Sequence, residues 1–266
     1  MVQRAAYLTI DDSPSERMDD MVDALHGDGI PAIFFCRGDN LAVRPESAIS
    51  AIKKGFIIAN HAWHHRRSSQ ISFEDMADEI TRTQNLIDTA YKTAGVANHP
   101  KLFRFPQMDR GAGGWVVDYN RIPEEYRDHV THMFSDGLNI NLDPPDAAAL
   151  EKKQKLQGFL KDAGFIAPLF NRVTFPWYRN TEMATAIDAM FTFSTSDWML
   201  NARHKGKWPW KTLDDLKARM DADPWLGRDD SAHVILAHDS AEIFDESLAL
   251  IRYARVSGIE FIPHGA

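Results

Sequence analysis

The sequence predicts an α/β fold in which a parallel sheet or barrel is covered by crossover helices. Short apolar runs, rich in β-branched and aromatic residues, alternate with longer segments of helical period, as expected for repeated strand and helix units. The length of 266 residues is common for a single barrel, and the hydrophobic fraction of 44% is enough for a substantial core. We therefore expect one domain that spans residues 1–266.

The candidate strands are the apolar runs that turn-forming residues bound. They are residues 5–10, 31–36, 56–60, 101–105 and 233–238, with 191–195 and 259–262 as further candidates. Helical periods separate them, at residues 15–26, 45–54, 73–94, 147–163, 181–189, 212–222 and 245–256. Residues 107 to about 145 lack a convincing period, so we expect an irregular insertion, at about 107–175, over the mouth of a barrel.

Composition and charge exclude some classes of partner. The net charge of −8 and the lack of a basic stripe argue against nucleic acid. Cys36 is the single cysteine, so an internal disulfide is impossible and a buried thiol is expected. The chain contains no run of about 18 apolar residues and no visible signal peptide. As written it is therefore expected to be cytoplasmic without a membrane span, or secreted or periplasmic if a leader is missing. The oligomeric state stays open.

Two adjacent carboxylates end the first predicted strand, in the motif YLTIDDSP. One of Asp11 and Asp12 can ligate a metal ion while the other takes a proton from metal-bound water. A solvated turn or a helix cap is the ordinary alternative for such a pair.

Two histidines stand four residues apart at the end of another predicted strand, in FIIANHAWHH. His61 and His65, together with one carboxylate, would leave open positions on a zinc-like ion, which is typical of a catalytic site. His64 fits less well because its spacing of three places it differently. The alternative is that the two histidines are ordinary polar residues that bind no metal.

Further polar residues follow three other predicted strands. Arg104 in KLFRFP is suited to orient a carboxylate, Asp197 and Trp198 lie in STSDW, and His238 ends VILAHD. Each has an ordinary explanation, such as a salt bridge. Together they fall at the carboxyl ends of parallel strands, where barrel and open-sheet active sites assemble, and this favours a catalytic site.

The chain resembles the polysaccharide deacetylases of carbohydrate esterase family 4, the NodB homology family, through IDDSP, GIPAIFFCRG, GFIIANHAWHH, FRFP, STSDW and ILAHD, in that order. The resemblance covers residues 5 to about 107 well, 191–262 more loosely and the middle poorly. It implies a distorted (β/α) barrel with a groove at its top that holds one divalent ion, zinc first, with cobalt, nickel or manganese as alternatives. Matched by position, the metal ligands are Asp12, His61 and His65.

The resemblance also implies catalytic roles. Asp11 would be the general base, oriented by Arg104, and His238 the general acid, and Asp197 of the fourth motif is a further catalytic candidate. The ion would polarise an acetyl carbonyl and bind the attacking water, and His238 would protonate the departing amine.

Substrate contacts follow from the same motifs. Similar enzymes hold the oxyanion with a backbone amide just after Pro106, which is that of Gln107 here. Trp198 and Trp63 are candidates to stack on sugar rings, whose faces are apolar. Packing in the core is the alternative for both indoles.

The expected function is removal of N-acetyl groups from an oligo- or polysaccharide that contains N-acetylhexosamine. The alternatives are hydrolysis of a small non-sugar amide, O-acetyl esterase activity, and an inactive glycan-binding module. Two departures from the family pattern bear on them: Ala62 stands where Ser or Thr is usual, and Ser194 stands where an aspartate is common. The long segment after Pro106 is expected to reshape the groove.

Overall fold

The computed structural model describes residues 4–265, and a six-stranded parallel sheet organises them. Its strands are β1 (Arg4–Ser13), β2 (Ala32–Cys36), β3 (Ile57–Asn60), β4 (Phe193–Ser194), β5 (His233–His238) and β6 (Ile259–Phe261). The strand order is β3-β2-β1-β5-β4, and β6 pairs with the first residues of β1. Because β1 pairs with both β5 and β6, the two ends of the described chain share one sheet.

Helices surround the sheet. They are α1 (Met18–Gly27), α2 (Gly38–Val43), α3 (Pro45–Lys53), α4 (Phe73–Ala94), α5 (Glu124–Ser135), α6 (Ala147–Asp162), α7 (Pro176–Arg179), α8 (Glu182–Thr185), α9 (Leu213–Ala222) and α10 (Phe244–Val256). Local sequence fixes several ends. Ser72 caps α4 by accepting a hydrogen bond from the Asp75 amide at 3.0 Å, and Gly95, with φ of 82°, ends that helix. No helix in residues 4–265 has the length and apolarity needed to cross a membrane.

Alternate residues of the central strands face two different cores. Leu8 and Ile10 of β1 pack into the cluster that includes α1, α3 and α10. Tyr7 points to the opposite side, where residues of the 107–191 segment fill the interior, including Phe175 and the fully buried Trp177. The segment expected over the mouth therefore also supplies part of the core.

Loop segments complete the barrel where strands are missing. Asn60 donates its backbone amide to the Leu102 carbonyl at 2.9 Å and accepts from the Arg104 amide at 3.0 Å. The Ala189 amide then donates to the Phe103 carbonyl at 2.7 Å, just before β4. Single bonds at these points replace a regular ladder, so the parallel sheet curves into a distorted barrel.

Three predicted elements differ from the structure. The strand predicted at 101–105 is an isolated bridge between Asn60 and Phe103. The helix predicted at 181–189 is only α8, because Ala186 turns to extended backbone and the Ile187 amide is taken by Gln157 Oε1 at 2.9 Å. α5 forms in the segment predicted to be irregular, where Pro123 and two glutamates favour a helix start.

Candidate metal centre and active site

The end of β1 turns two consecutive carboxylates into one cavity. On a regular strand, neighbouring side chains point to opposite faces. Here the register between β1 and β2 shifts after Ile10, and Asp12 has a left-handed φ of 68°, so the alternation is broken. Asp11 and Asp12 both line the same cavity.

The loop after β3 presents the two histidines. Ala62 and His65 both have φ of 57°, which lets the chain turn sharply within five residues. The Nδ1 of His61 lies 2.8 Å from the Arg104 carbonyl oxygen. Because a carbonyl only accepts, Nδ1 carries the proton, and Nε2 keeps its lone pair for another partner.

Asp12, His61 and His65 form a site that fits a divalent metal ion. One ligand atom from each lies within 4.8 Å of the others, and Asp12 Oδ1 is 3.3 Å from His65 Nε2 and 3.8 Å from His61 Nε2. Asp12 Oδ1 and His61 Nε2 are buried without a hydrogen-bond partner. Buried polar atoms rarely stay unpaired, and two imidazoles with one carboxylate are suitable ligands for zinc with an open position.

The charge states also suit metal binding. Burial, reinforced by His65, lowers the pKa of His61 to about 3, so this imidazole is neutral at neutral pH. Burial opposes the charged form of Asp12, but His65 and His61 outweigh it and lower the pKa of the carboxyl. A neutral imidazole and an ionised carboxylate are the forms that ligate metals.

Asp11 lies beside this site and is held by a buried arginine. Arg104 is fully buried, and its guanidinium donates to Asp11 Oδ1 at 2.8 Å and to Thr9 Oγ1 at 2.9 Å. It also donates through Nε to the Ala189 carbonyl at 3.2 Å. These bonds fix one oxygen of Asp11, and the other lies 3.8 Å from His61 Nε2.

His238 is partly buried at the wall of the same cavity and pairs with the fully buried Asp197. His238 Nδ1 is 2.6 Å from Asp197 Oδ1, and Asp197 also accepts from the His238 amide and the Ser247 hydroxyl, both at 2.8 Å. Burial alone would disfavour the imidazolium, but Asp197, with smaller contributions from Asp12 and Asp11, raises the pKa of His238 to about 9. His238 is therefore protonated at neutral pH and has Nε2 free to donate.

The cavity that Asp11, Asp12, His65 and His238 line has a volume of about 700 Å³. Gln107 and Trp198 line it as expected from the sequence, and the Gln107 backbone has a left-handed φ of 54°. Pro106 is buried and begins the short turn that carries Gln107.

Trp63 lies elsewhere. Its ring packs so closely on Gly38 that a Cβ there would approach Cε3 to 2.4 Å, and the Arg82 guanidinium covers it at 3.9 Å. Trp63 does not line the cavity, so its position does not support the expected contact with substrate.

The two departures from the family pattern have different surroundings. Ala62 is fully buried in an apolar cluster with Met76 and Ile80. Ser194 lines the cavity, where its hydroxyl accepts from the Ser196 amide at 3.1 Å. A carboxylate from the middle segment reaches this region, since Asp136 also lines the cavity.

Glu79 of α4 is a site residue that the sequence reading missed. It is 1% exposed and accepts from the amides of Trp63 at 3.1 Å and His64 at 3.0 Å, and from Arg66 Nε at 2.7 Å. The loop between the two histidine ligands is thus tied to α4. The available signal was a carboxylate among the core-facing positions of this helix.

The comparisons with known proteins agree with this geometry. Residues 1–112 match the family model described as polysaccharide deacetylase. The chain is 29% identical over 182 residues to the peptidoglycan-N-acetylmuramic acid deacetylase of Bacillus subtilis, covering 61% of this chain and 37% of that protein. It is 32% identical over 116 residues to the chitooligosaccharide deacetylase of a Bradyrhizobium species, covering 43% and 49%. The chain thus spans less than half the length of these relatives.

Solved structures share the fold across nearly the whole chain. The family 4 carbohydrate esterase from Streptomyces lividans, in complex with acetate, aligns with a TM-score of 0.53 at 19% identity, over 97% of this chain and 92% of that one. A family 4 pseudoenzyme from Bacillus anthracis aligns with a TM-score of 0.57 at 13% identity, over 98% and 64%. Residues 1–112 thus match the polysaccharide deacetylase model, and the distorted (β/α) barrel is similar to the fold of the family 4 carbohydrate esterases.

Proposed function

We propose that this protein is a metal-dependent N-deacetylase that acts on an N-acetylhexosamine unit of an oligo- or polysaccharide. The observation that carries the proposal is the convergence of Asp12, His61 and His65, with ligand atoms within 4.8 Å of one another. The buried base candidate Asp11 and the partly buried acid candidate His238 line the same cavity. The names of the relatives, which are deacetylases of peptidoglycan and of chitooligosaccharides, support an acetylated sugar as substrate.

Asp12 Oδ1, His61 Nε2 and His65 Nε2 would hold the metal, which when bound polarises the acyl carbonyl and acidifies water. This ligand set suits zinc, and also cobalt, nickel or manganese. Metal sites of this kind keep at least one position open for water or substrate.

Two side chains of the protein would then carry out the proton transfers. Asp11 takes the proton from the attacking water, and the Arg104 pair at 2.8 Å keeps its carboxylate oriented. The backbone amide of Gln107, at the cavity wall, donates to the developing oxyanion. His238, charged at neutral pH, gives its Nε2 proton to the departing amine as the C–N bond breaks.

Acetate release from N-acetylglucosamine oligomers tests the proposal. Metal-stripped protein should release no acetate, and added zinc or cobalt should restore the release in the wild type but not in Asp11→Asn. Absence of release with every metal, despite tight metal binding, would contradict a chitooligosaccharide substrate. Peptidoglycan fragments, acetylated xylan and small amides would then separate another deacetylase or esterase activity from a role in glycan binding alone.

A further inference from the structure

Basic side chains without an anionic partner surround the proposed active-site cavity. Arg67, Arg203 and Lys207 all line it, and among residues 4–265 none of them forms an ion pair with a carboxylate. Arg203 instead lies with its Nε 3.1 Å from His204 Nε2. Three acidic residues line the cavity as well: Asp11 pairs with Arg104, Asp136 pairs with Arg219 at 3.1 Å, and Asp12 is a proposed metal ligand.

The unpaired cations at the cavity contrast with the negative charge of the whole chain. The net charge is −8, so a random surface region would carry more carboxylates than cations. Within residues 4–265, the three cations that line the cavity form no ion pair, and a divalent ion bound at Asp12 would add further positive charge. Such a field attracts anionic ligands into a cleft.

Arg67 has a particular position, since it lines two adjoining cavities. The second cavity has a volume of about 760 Å³ and shares Arg67 and Asn139 with the first. Asp143 and Asp146 also line the second cavity, and Asp146 caps α6 by accepting a hydrogen bond from the Ala149 amide at 2.8 Å. The half-buried Arg67 is therefore the cation at the junction between the two cavities.

Asp109 builds the wall beside this junction. This buried carboxylate accepts from the Gly111 amide at 3.0 Å, the Gly113 amide at 3.1 Å and the Ser69 hydroxyl at 2.5 Å. It thereby ties the loop that carries Arg67 to the glycine-rich segment that lines the second cavity. These bonds hold the loop of Arg67 against the wall of the second cavity.

We propose that the two cavities form one groove for an acidic substrate, in which a carboxylate near the acetylated group pairs with Arg67 at the junction. Arg203 and Lys207 attract the anionic chain to the rim. This inference rests on the proposed function, because the acyl group is taken to bind at the metal site in the first cavity. A guanidinium is suited to this role since it binds the two oxygens of a carboxylate at once.

Three oligosaccharides that differ in one group test the proposal. They are an N-acetylglucosamine oligomer, an oligomer of the same length that contains N-acetylmuramic acid, and the methyl ester of the second, which removes only the charge. We expect the free acid to have a kcat/KM at least about tenfold above that of its ester, mainly through KM, and this advantage to shrink as salt rises. Arg67→Gln should reduce the ratio of acid to ester by about tenfold.

Lys205→Gln is the matched control, because Lys205 lies between Arg203 and Lys207 but does not line either cavity. It should leave the ratio of acid to ester unchanged. Equal kcat/KM for acid and ester in the wild type would overturn the inference while leaving the deacetylase proposal intact.

If no oligosaccharide is hydrolysed, binding measurements test the acidic groove independently of the deacetylase proposal. Calorimetry of the zinc-loaded protein would compare the Kd of the free acid with that of the ester. Tighter binding of the acid, lost in Arg67→Gln, would support the acidic groove although the deacetylase proposal had failed. Equal Kd values would overturn the inference. A phosphorylated N-acetylglucosamine oligomer that outcompetes the carboxylated one would also overturn it, since it would identify phosphate as the preferred anion.

Discussion

Asp12 and His65, two of the proposed metal ligands, have left-handed backbone conformations that residues other than glycine rarely adopt. Within residues 4–265, the non-glycine residues with positive φ are Asp12, Ala62, His65, Gln107, Met108 and Ser196. All of them lie at the cavity or in the loop that carries the histidines. Each such conformation costs on the order of 1–3 kcal/mol and persists only where surrounding bonds hold it.

Glu79→Gln should weaken metal binding because Glu79 supplies many of the bonds that hold the histidine loop. A glutamine has one acceptor oxygen, so its amide nitrogen would face either the backbone amides of Trp63 and His64 or the Nε of Arg66. We expect the Kd for cobalt or zinc to rise by about 10–100-fold while the circular dichroism spectrum is unchanged. Isothermal titration of the stripped protein measures this.

The exposed Glu74 on the same helix provides the control, since Glu74→Gln removes an identical charge away from the loop. Equal metal affinity for Glu79→Gln and Glu74→Gln would show that the loop does not depend on the buried carboxylate.

The pairing of His238 with Asp197 predicts the alkaline limit of activity. The pKa of His238 is raised to about 9, so the imidazole is charged below that pH and loses its proton above it. Because the general acid must be protonated, kcat/KM should fall as pH rises through about 9. Asp197→Asn removes the charge that raises this pKa, so its alkaline limb should move to lower pH. A limb at the same pH in both proteins would exclude His238 as the acid.

At the scale of elements, α4 supports the metal loop as well as the core. Thr83 donates its hydroxyl to the Ala62 carbonyl at 2.9 Å, and the Ile80 carbonyl accepts from the Asn60 side chain at 2.9 Å. Asn60 in turn accepts from the Ala62 amide at 2.9 Å. The end of β3 and the loop after it are thus positioned from one face of one helix.

The aromatic residues of the middle segment should be important for stability. Trp177 is fully buried and stacks on Phe175 with ring centroids 5.3 Å apart. Trp177→Ala should lower the free energy of unfolding by about 3–5 kcal/mol, because the site is too closely surrounded to collapse. Urea denaturation followed by circular dichroism measures the loss.

Trp208 is 68% exposed, so Trp208→Ala is expected to change the free energy of unfolding by no more than about 0.5 kcal/mol. A similarly small loss for Trp177→Ala would mean that the middle segment does not contribute to the core as described.

Elements with a strong local pattern were predictable from the sequence, and those that depend on distant partners were not. The predicted bounds of β5 and α4 match the structure because continuous apolar runs and good caps define them. Residues 101–105 have the composition of a strand, but their partners are one residue of β3 and the segment at Ala189. No local period reveals that pairing, nor the placement of Trp177 inside the barrel.

The same distinction applies to the site. Functional groups often follow parallel strands, and from this rule we predicted one shared site. The structure places the predicted residues around one site: Asp11, Asp12, His61, Arg104 and His238. Their catalytic roles stay predictions. Trp63 was chosen for its place in the motif, but Ala62 before it and His65 after it have left-handed φ, and its ring lies against Arg82 of α4. Backbone reversals of this kind cannot be inferred from residue type alone.

At the scale of the whole molecule, metal binding should raise stability, because the folded chain presents the three ligands together and the unfolded chain does not. Free zinc at a thousandfold excess over Kd should add about 4 kcal/mol to the free energy of unfolding. A thermal melt with and without zinc would show this as a higher Tm. His65→Gln should abolish most of the increase.

His132→Gln is the control for that melt, since His132 on α5 is exposed and lies outside the metal site. An equal rise in Tm for the wild type and His65→Gln would mean that zinc stabilises the fold at another position.

The pairing of β1 with β5 has a consequence for biosynthesis. Thr9 of β1 donates its hydroxyl to the Ile235 carbonyl, 226 residues further along the chain. β1 is almost wholly buried in the finished fold, yet while the ribosome is still translating the middle of the chain, one edge of this apolar strand has no partner. Contacts this distant in sequence form slowly, and exposed strand edges promote aggregation. The nascent chain should therefore depend on chaperones until the last quarter of the barrel has emerged.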